Sequence, residues 1–364
     1  MMSFARYIAR GELARALDDM ARGRVTYAPR REGDAVVFRP RAEGEEPLLA
    51  RATVPPKGVI FPQSERLFAF IREKDPNDPG HTTVRLDSSV DIQPALIFGG
   101  RPCDARGFHI FDRVYLNGPH RDPYYAARRE ATVVVTLACT KAGSTCFCHW
   151  TGCGPADTTG SDILLTPVGS GNDGGFVAMA VTERGKAVLE QANLSEADAA
   201  RTDAAQTVHA ATRAALDAQS PAPDLSATAT RLLERFSDAD FWRDMSDKCL
   251  SCGACTYLCP TCYCFNITDE NDGGDGMRGR RLRSWDNCMS SLFTREASGH
   301  NPRMGKALRL RNRVGHKFSY YPQLHEGVVS CNGCGRCITG CPVSVDIREM
   351  VVRATEANEE TPNA

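Results

Sequence analysis

Hydrophobic residues in the first part of the chain are grouped in short runs separated by polar segments. Four runs rich in apolar residues predict strands, at 94–98, 132–137, 162–166 and 175–181. From 186 to 218 the composition favours helix and contains neither proline nor glycine, and the sequence SPAP follows at 220–223. The mixture of strand and helix patterns predicts an α+β chain.

A further amphipathic stretch at 229–236 leads into a cysteine-rich region. We therefore expect two domains, a mixed α/β domain at 1–235 and a mainly helical, ferredoxin-like domain at 236–364. A length of 364 residues is sufficient for two hydrophobic cores. Within the second domain, 268–279 is rich in Asp and Gly but lacks the ligand pattern of a calcium loop, so we interpret it as a solvated loop.

The charge balance and the N-terminal sequence limit the classes of partner. A formal net charge of -1 argues against a nucleic-acid partner. No signal-peptide pattern and no uncharged apolar window of membrane-spanning length is present, so we expect a cytoplasmic location without a membrane partner. Thiols stay reduced in the cytosol, and closely spaced cysteines there indicate metal ligands or redox groups rather than structural disulfides.

Sixteen cysteines occur, five between 103 and 153 and eleven after 248. Two runs share the spacing Cys-x2-Cys-x2-Cys-x3-Cys-Pro, which is typical of bacterial ferredoxins with two [4Fe-4S] clusters and which supplies more thiols than a zinc ribbon needs. In that pattern the fourth cysteine of each run binds the cluster of the other run. The predicted ligands are Cys249, Cys252, Cys255 and Cys341 for one cluster, and Cys331, Cys334, Cys337 and Cys259 for the second.

The remaining cysteines follow no standard spacing rule. Cys103, Cys139, Cys146 and Cys148 lie after two predicted strands and are candidate ligands of a third [4Fe-4S] cluster, with Cys153 and His149 in reserve. We interpret Cys262, Cys264 and Cys288 as buried thiols near the clusters. The basic segment 303–318 is interpreted in three ways, as a docking surface for an acidic partner, as a source of positive charge near the clusters, or as a solvated helix face.

Seven segments are distinctive: RPCDARG at 101–107, CFC at 146–148, KCLSCGACTYLCPTCYCF at 248–265, RSWDNC at 283–288, GHNPR at 299–303, RLRNRVGHKF at 309–318 and CNGCGRCITGCPV at 331–343. With these segments the chain resembles the β subunit of cytosolic NAD(P)-linked [NiFe] hydrogenases, also called sulfhydrogenases, and is similar to the electron-transfer subunit of anaerobic sulfite reductases. This resemblance also supports the third cluster, because Cys103, Cys139, Cys146 and Cys148 lie in or beside these segments.

The resemblance implies an electron-transfer subunit without catalytic residues of its own. Its expected partners are a γ subunit that carries FAD and reacts with NAD(P), and the small and large [NiFe] hydrogenase subunits. Two alternatives remain open at this point. The first is a relay to a sirohaem sulfite reductase, and the second is an enzyme whose N-terminal domain reduces a flavin or a substrate directly.

Overall fold

A computed structural model describes residues 4–78, 80–90, 92–171, 174–274 and 276–356. The strands are β1 (Ala5–Ala9), β2 (Val25–Glu32), β3 (Ala35–Pro40), β4 (Ser64–Lys74), β5 (Thr82–Asp87), β6 (Ala95–Gly100), β7 (Thr132–Leu137), β8 (Ile163–Val168), β9 (Gly175–Ala180), β10 (Ser195–Glu196), β11 (Phe265–Asn271) and β12 (Arg278–Trp285). The helices are α1 (Leu13–Ala21), α2 (Lys57–Ile60), α3 (Pro102–Tyr115), α4 (Pro123–Ala131), α5 (Glu183–Gln191), α6 (Ala199–Gln219), α7 (Thr228–Glu234), α8 (Ala239–Ser246), α9 (Ala254–Tyr257), α10 (Lys306–Gly315), α11 (Tyr321–Leu324), α12 (Arg336–Thr339) and α13 (Ile347–Thr355).

The larger sheet has the strand order β10-β1-β9-β8-β7-β6-β2-β3. Strands β2, β6, β7 and β8 run parallel to their neighbours within this group, whereas the outer pairs are antiparallel. Every residue of β6 and β7 is buried, as expected for parallel strands covered on both faces. Helices α1 and α5 cover one face, and α3 and α4 cover the other. The four predicted strands are confirmed as β6 to β9.

The carboxyl ends of β6 and β7 bring two of the N-terminal cysteines to the same edge of the sheet. Strand β6 leads directly into α3, whose first turn is fixed because the Arg101 backbone N–H donates to Asp104 Oδ2 at 2.9 Å. This turn contains Cys103. Cys139 follows the adjacent strand β7 after one intervening residue. Ligand sites commonly form at this end of parallel strands.

The predicted helical region at 186–218 is divided into α5 and α6. The chain turns after α5 at Asn193, which has a left-handed backbone with φ of 49°. The short strand β10 then pairs with β1 before α6 begins. Propensity alone did not reveal this interruption, because the pairing with β1 is a long-range interaction.

A second sheet, with the order β11-β12-β4-β5, joins both parts of the sequence. The prediction of a solvated loop at 268–279 is wrong at both ends of the segment, because β11 extends to Asn271 and β12 begins at Arg278. Cross-strand ion pairs hold this ladder, including Arg281 with Asp269 at 2.7 Å. Asp275 lies outside the described residues. The second part of the chain therefore contains a β-hairpin beside its helices, and the division at 235/236 remains a prediction.

A buried ion-pair network fastens β12 to the N-terminal part. Arg283 Nε donates to Glu65 Oε1 at 2.7 Å, and the same guanidinium pairs with Asp122. Glu65 also pairs with Arg128 of α4. Arg283 and Glu65 are almost completely buried. Each charge in this network thus depends on its partners, because a buried charge without a counter-ion is unstable.

We predict that Arg283→Ala strongly destabilises the protein. Removing one partner of a buried pair typically costs about 3–5 kcal/mol. In this variant Asp122 loses its ion pair with Arg283, and Glu65 keeps only its pair with Arg128. The matched control is Arg281→Ala, two residues earlier on β12, where the ion pair with Asp269 is exposed. Thermal unfolding of the protein purified without air measures this effect. The midpoint temperature of unfolding should decrease strongly in Arg283→Ala and change little in the control. Equal decreases in the two variants would contradict the prediction.

Candidate metal centre

The first cysteine run forms a loop that leads into the one-turn helix α9. Ser251 and Gly253 adopt left-handed backbone conformations, with φ of 56° and 77°, and this tight winding turns the three cysteines of the loop toward one cavity. The Ser251 backbone N–H donates to Cys249 Sγ at 3.4 Å. The cysteines that line this first cavity include Cys249, Cys252, Cys255 and Cys341, the predicted ligands of one cluster.

The second run repeats the conformation of the first. Gly333 and Gly335 occupy the positions equivalent to Ser251 and Gly253, with φ of 57° and 72°, and they lead into the one-turn helix α12. A Cβ atom at Gly333 would lie 2.4 Å from the Phe147 carbonyl oxygen, so only glycine allows this close approach. A second cavity is lined by Cys259, Cys331, Cys334 and Cys337, the predicted ligands of the other cluster.

The two cavities are neighbours. Cys337 lines both of them, and so does Arg313. In each cavity, three cysteines come from one run and one of the predicted ligands comes from the other run. The geometry therefore brings together the two sets of four cysteines in the crossed arrangement that the spacing predicts.

A third cavity lies at the carboxyl ends of β6 and β7. It is lined by all four of the N-terminal candidates, Cys103, Cys139, Cys146 and Cys148. Cys153 is not among its lining residues, although its thiol shares a hydrogen bond with that of Cys148. His149 Nε2 lies 2.6 Å from the Ser220 carbonyl oxygen, away from the cavity. Neither reserve ligand lines the cavity.

The third cavity adjoins the second. Cys334 lines both of them, and a hydrogen bond from Cys103 is the main influence that lowers the pKa of Cys334 to about 6. Asn332 Nδ2 donates to the Cys103 carbonyl oxygen at 2.7 Å. Arg51 lies between the sites, with Nη1 3.4 Å from Cys146 Sγ and Nη2 donating to the Cys334 carbonyl oxygen. The three cavities therefore form a continuous series.

Arg336 connects the protein segments that line the second and third cavities. Its guanidinium makes a bidentate ion pair with Asp104, at 2.7 and 3.0 Å, and both groups are buried. The same guanidinium lies 4.0 Å from Cys103 Sγ. Since Asp104 belongs to α3 and Arg336 to α12, this pair aligns the N-terminal cysteines with the second cysteine run.

Two buried cations, Arg313 and Lys317, lie against the cysteines of the first and second cavities. Arg313 Nη2 donates to the Cys255 carbonyl oxygen at 2.7 Å, and Nη1 lies 3.4 Å from Cys262 Sγ. Lys317 Nζ donates to Thr261 Oγ1 and the Ser330 carbonyl oxygen, both at 2.8 Å. Arg313 is 4% exposed and Lys317 is 2% exposed. Within the described ranges, no carboxylate lies within ion-pair distance of either cation.

These cations require a nearby negative charge. Burial alone lowers the pKa of Lys317, but the negative charge of Cys259 and Cys262 in their thiolate forms more than offsets this effect and raises its pKa. The pKa of Arg313 is raised above its ordinary value although burial opposes this, because Cys255 and Cys262 lie nearby. Thiolates that bind metal would supply the missing negative charge. Lys57, also buried, donates to the Cys262 carbonyl oxygen at 3.0 Å, and burial lowers its pKa.

The cationic residues were not identified individually from the sequence. Arg309, Arg313 and Lys317 are spaced by four residues and face the cysteine loops from one side of α10 and the π-helical segment His316–Tyr320. Arg309 Nη2 donates to Ser251 Oγ in the first loop at 3.0 Å. Their four-residue spacing is the sequence feature that indicates a common helix face. Their position against the cysteine loops favours the interpretation of 303–318 as a source of positive charge near the clusters. Arg51 and Arg336 carried no comparable signal.

Cys262, Cys264 and Cys288 lie beside the first two cavities without lining them. The thiol of Cys262 interacts with that of Cys259, and the thiol of Cys264 interacts with that of Cys288. The hydrogen bond from Cys264 lowers the pKa of Cys288 to about 5, and Arg313 contributes in the same direction. These thiols are therefore polar partners of one another rather than isolated apolar groups.

No group of three His, Cys, Asp or Glu side chains in the described part of the chain converges closely enough to hold a single metal ion. This finding is compatible with clusters, because the ligands of a four-iron cube surround a larger volume and bind separate irons. The residues present fit such a group in three respects. At least four cysteines line each cavity. Backbone N–H groups face the sulfurs of Cys249 and Cys341, and nearby cations have no carboxylate partner among the described residues.

The duplicated cysteine loops and their cavities define an iron–sulfur protein of the electron-transfer class. Residues 248–345 match the family model of the 4Fe-4S dicluster domain, which supports two iron–sulfur clusters in that segment. Over 326 residues the chain is 30% identical to sulfhydrogenase 2 subunit beta of Pyrococcus furiosus, with 89% of this chain and 90% of that protein covered. The chain belongs to the family of hydrogenase β subunits, which confirms the resemblance in the sequence.

In the residues that the structure describes, no helix combines the length and the apolar character needed to cross a membrane.

Proposed function

We propose that this chain relays electrons through three [4Fe-4S] clusters within a multisubunit hydrogenase. Its partners in this proposal are the small and large [NiFe] subunits and a further subunit that binds FAD and NAD(P). The observation that carries the proposal is the pair of buried cations, Arg313 and Lys317, with cysteine sulfurs nearby and no carboxylate partner in the described ranges. An anionic, thiolate-bound group gives these charges a counter-ion.

The proposed ligand sets follow the three cavities. Cys249, Cys252, Cys255 and Cys341 hold the first cluster. Cys259, Cys331, Cys334 and Cys337 hold the second, and Cys103, Cys139, Cys146 and Cys148 hold the third. Clusters of this type supply one-electron transfer when bound.

The order of the sites along the relay follows from shared residues. Cys337 belongs to the walls of the first and second cavities, and Cys334 to the walls of the second and third. We therefore place the second cluster in the middle. The first site is the terminus nearer to solvent, because Cys252 is exposed and the neighbouring Leu250 is 64% exposed. A partner that exchanges electrons with the first cluster would dock over this loop.

The protein side chains set the conditions for transfer. Arg313 and Lys317 stabilise the additional negative charge of a reduced site, and the apolar wall formed by Met289, Leu310 and Met350 excludes water from the first cavity. In this proposal the chemistry of bond formation belongs to the partner subunits.

We predict that Cys148→Ser removes the third cluster alone. The purified protein should lose about four iron atoms and about four acid-labile sulfides per chain, because one cube contains four of each. Cys153→Ser is the matched control, since this thiol contacts Cys148 but does not line the cavity. Iron and sulfide assays on protein prepared without air test the assignment. An equal loss of iron and sulfide in both variants, or no loss in Cys148→Ser, would contradict the assignment of these four cysteines to a third cluster.

A second experiment tests the partners. The chain is tagged in its native host and purified without air, together with the subunits that remain bound. Nickel and flavin in the complex are expected from the hydrogenase proposal. Sirohaem without nickel would replace that proposal with sulfite reduction, while the cluster assignments would remain. Flavin bound to the isolated chain would instead favour a direct reductase.

A further inference from the structure

Cys264 and Cys288 meet at the open end of the β11–β12 ladder. Phe265 pairs with Trp285 in this ladder, and the Asp286 backbone N–H donates to the Cys264 carbonyl oxygen at 3.0 Å. This register holds the strand end that carries Cys264 against the segment that contains Cys288. The two thiols lie close enough for each to be the largest influence on the pKa of the other. The contact is therefore fixed by the backbone pairing of two strands.

The pair is separate from the three proposed cluster sites. Neither cysteine lines any of the three cavities. Within the described ranges, the pair does not belong to any group that could hold a single metal ion. A cluster would need a surrounding space, and a metal ion would need further ligands. Two neighbouring thiols that have neither a cavity around them nor further metal ligands are suited to forming a disulfide with each other.

A short polar bridge connects the pair to the first site. Thr256 Oγ1 lies 3.9 Å from Cys288 Sγ and 4.0 Å from Cys255 Sγ, and Cys255 is a proposed ligand of the first cluster. Arg313 Nη1 lies 3.4 Å from the same hydroxyl oxygen. The buried cation thus faces both the proposed cluster ligand and the thiol pair, and it stabilises negative charge on either one.

We infer that Cys264 and Cys288 form a redox-active dithiol/disulfide pair that stores two electrons beside the relay. Reduction breaks the Sγ–Sγ bond, and an iron–sulfur carrier delivers two electrons one at a time. Each sulfur takes one proton from water, which can reach both half-buried residues, and the product is two thiols. Oxidation reverses these changes and returns the two electrons to the carrier. The inference rests on the proposed relay, because the relay supplies the electrons.

The test uses the full chain purified without air and equilibrated with redox mediators over a range of potentials. Samples are quenched in acid with an excess of a thiol-alkylating reagent, digested with trypsin and analysed by mass spectrometry. Trypsin separates 249–278, which contains Cys264, from 284–295, which contains Cys288. We expect a disulfide between these peptides in oxidised samples and two alkylated cysteines in reduced samples. The cluster absorbance of each sample is recorded before quenching.

Serine variants identify the bonded atoms. The link should disappear in Cys264→Ser and in Cys288→Ser and persist in Cys262→Ser, the control for a neighbouring thiol on the same peptide. In a reductive titration, wild-type protein should also accept about two more electrons than Cys288→Ser with the same iron content.

The possible outcomes separate the two proposals. If the clusters are reduced and reoxidised but no link forms at any potential, the pair is not redox-active and the relay stands. A link to Cys288 that persists in Cys264→Ser would also contradict the inference, because another cysteine of peptide 249–278 would then be the partner. If the chain contains no iron when purified without air, the proposed relay is wrong, and the cysteine pair then lacks its source of electrons.

Discussion

Arg313 and Lys317 are buried, and no carboxylate among the described residues pairs with them. This is the physical constraint on which the rest of the structure depends. A buried cation is tolerated only where a negative charge lies close to it. Both side chains extend from one continuous helical segment toward the sulfurs of the cysteine loops. A cluster ligated by four thiolates meets this requirement, and ordinary buried thiols do not. The charge of the metal centre and the helix that surrounds it therefore stabilise each other.

A second constraint is the alignment of the N-terminal part with the cysteine loops. The buried ion pair of Arg336 with Asp104 connects α12 to α3, and the network around Arg283 connects β12 to β4. Both connections join residues more than 200 positions apart in the sequence. They position Cys103 next to Cys334, which brings the third cavity beside the second. Transfer between sites depends on this adjacency, so the two parts of the chain act as one support for the relay.

Much of this arrangement could be predicted from local sequence. The duplicated cysteine spacing predicted which cysteines of the two runs line the first two cavities together, and apolar runs predicted β6 to β9. The hairpin of β11 and β12 could not be predicted, because its exposed, acidic first strand is held by pairing with β12. Long-range contacts also determine the roles of Arg51 and Arg336. The convergence of Cys103, Cys139, Cys146 and Cys148 follows from the topology of the sheet, since the spacing of these cysteines matches no local rule.

The central claim is that Arg313 balances the negative charge of the clusters, and the most direct measurement is the reduction potential of each cluster in Arg313→Met. The control is Arg311→Met on the same helix, where the guanidinium donates to the Phe236 carbonyl oxygen instead. We expect potentials in Arg313→Met to fall by tens of millivolts, since about 59 mV corresponds to a tenfold change in a one-electron equilibrium. Potentials equal to those of the control, at the same iron content, would contradict the account.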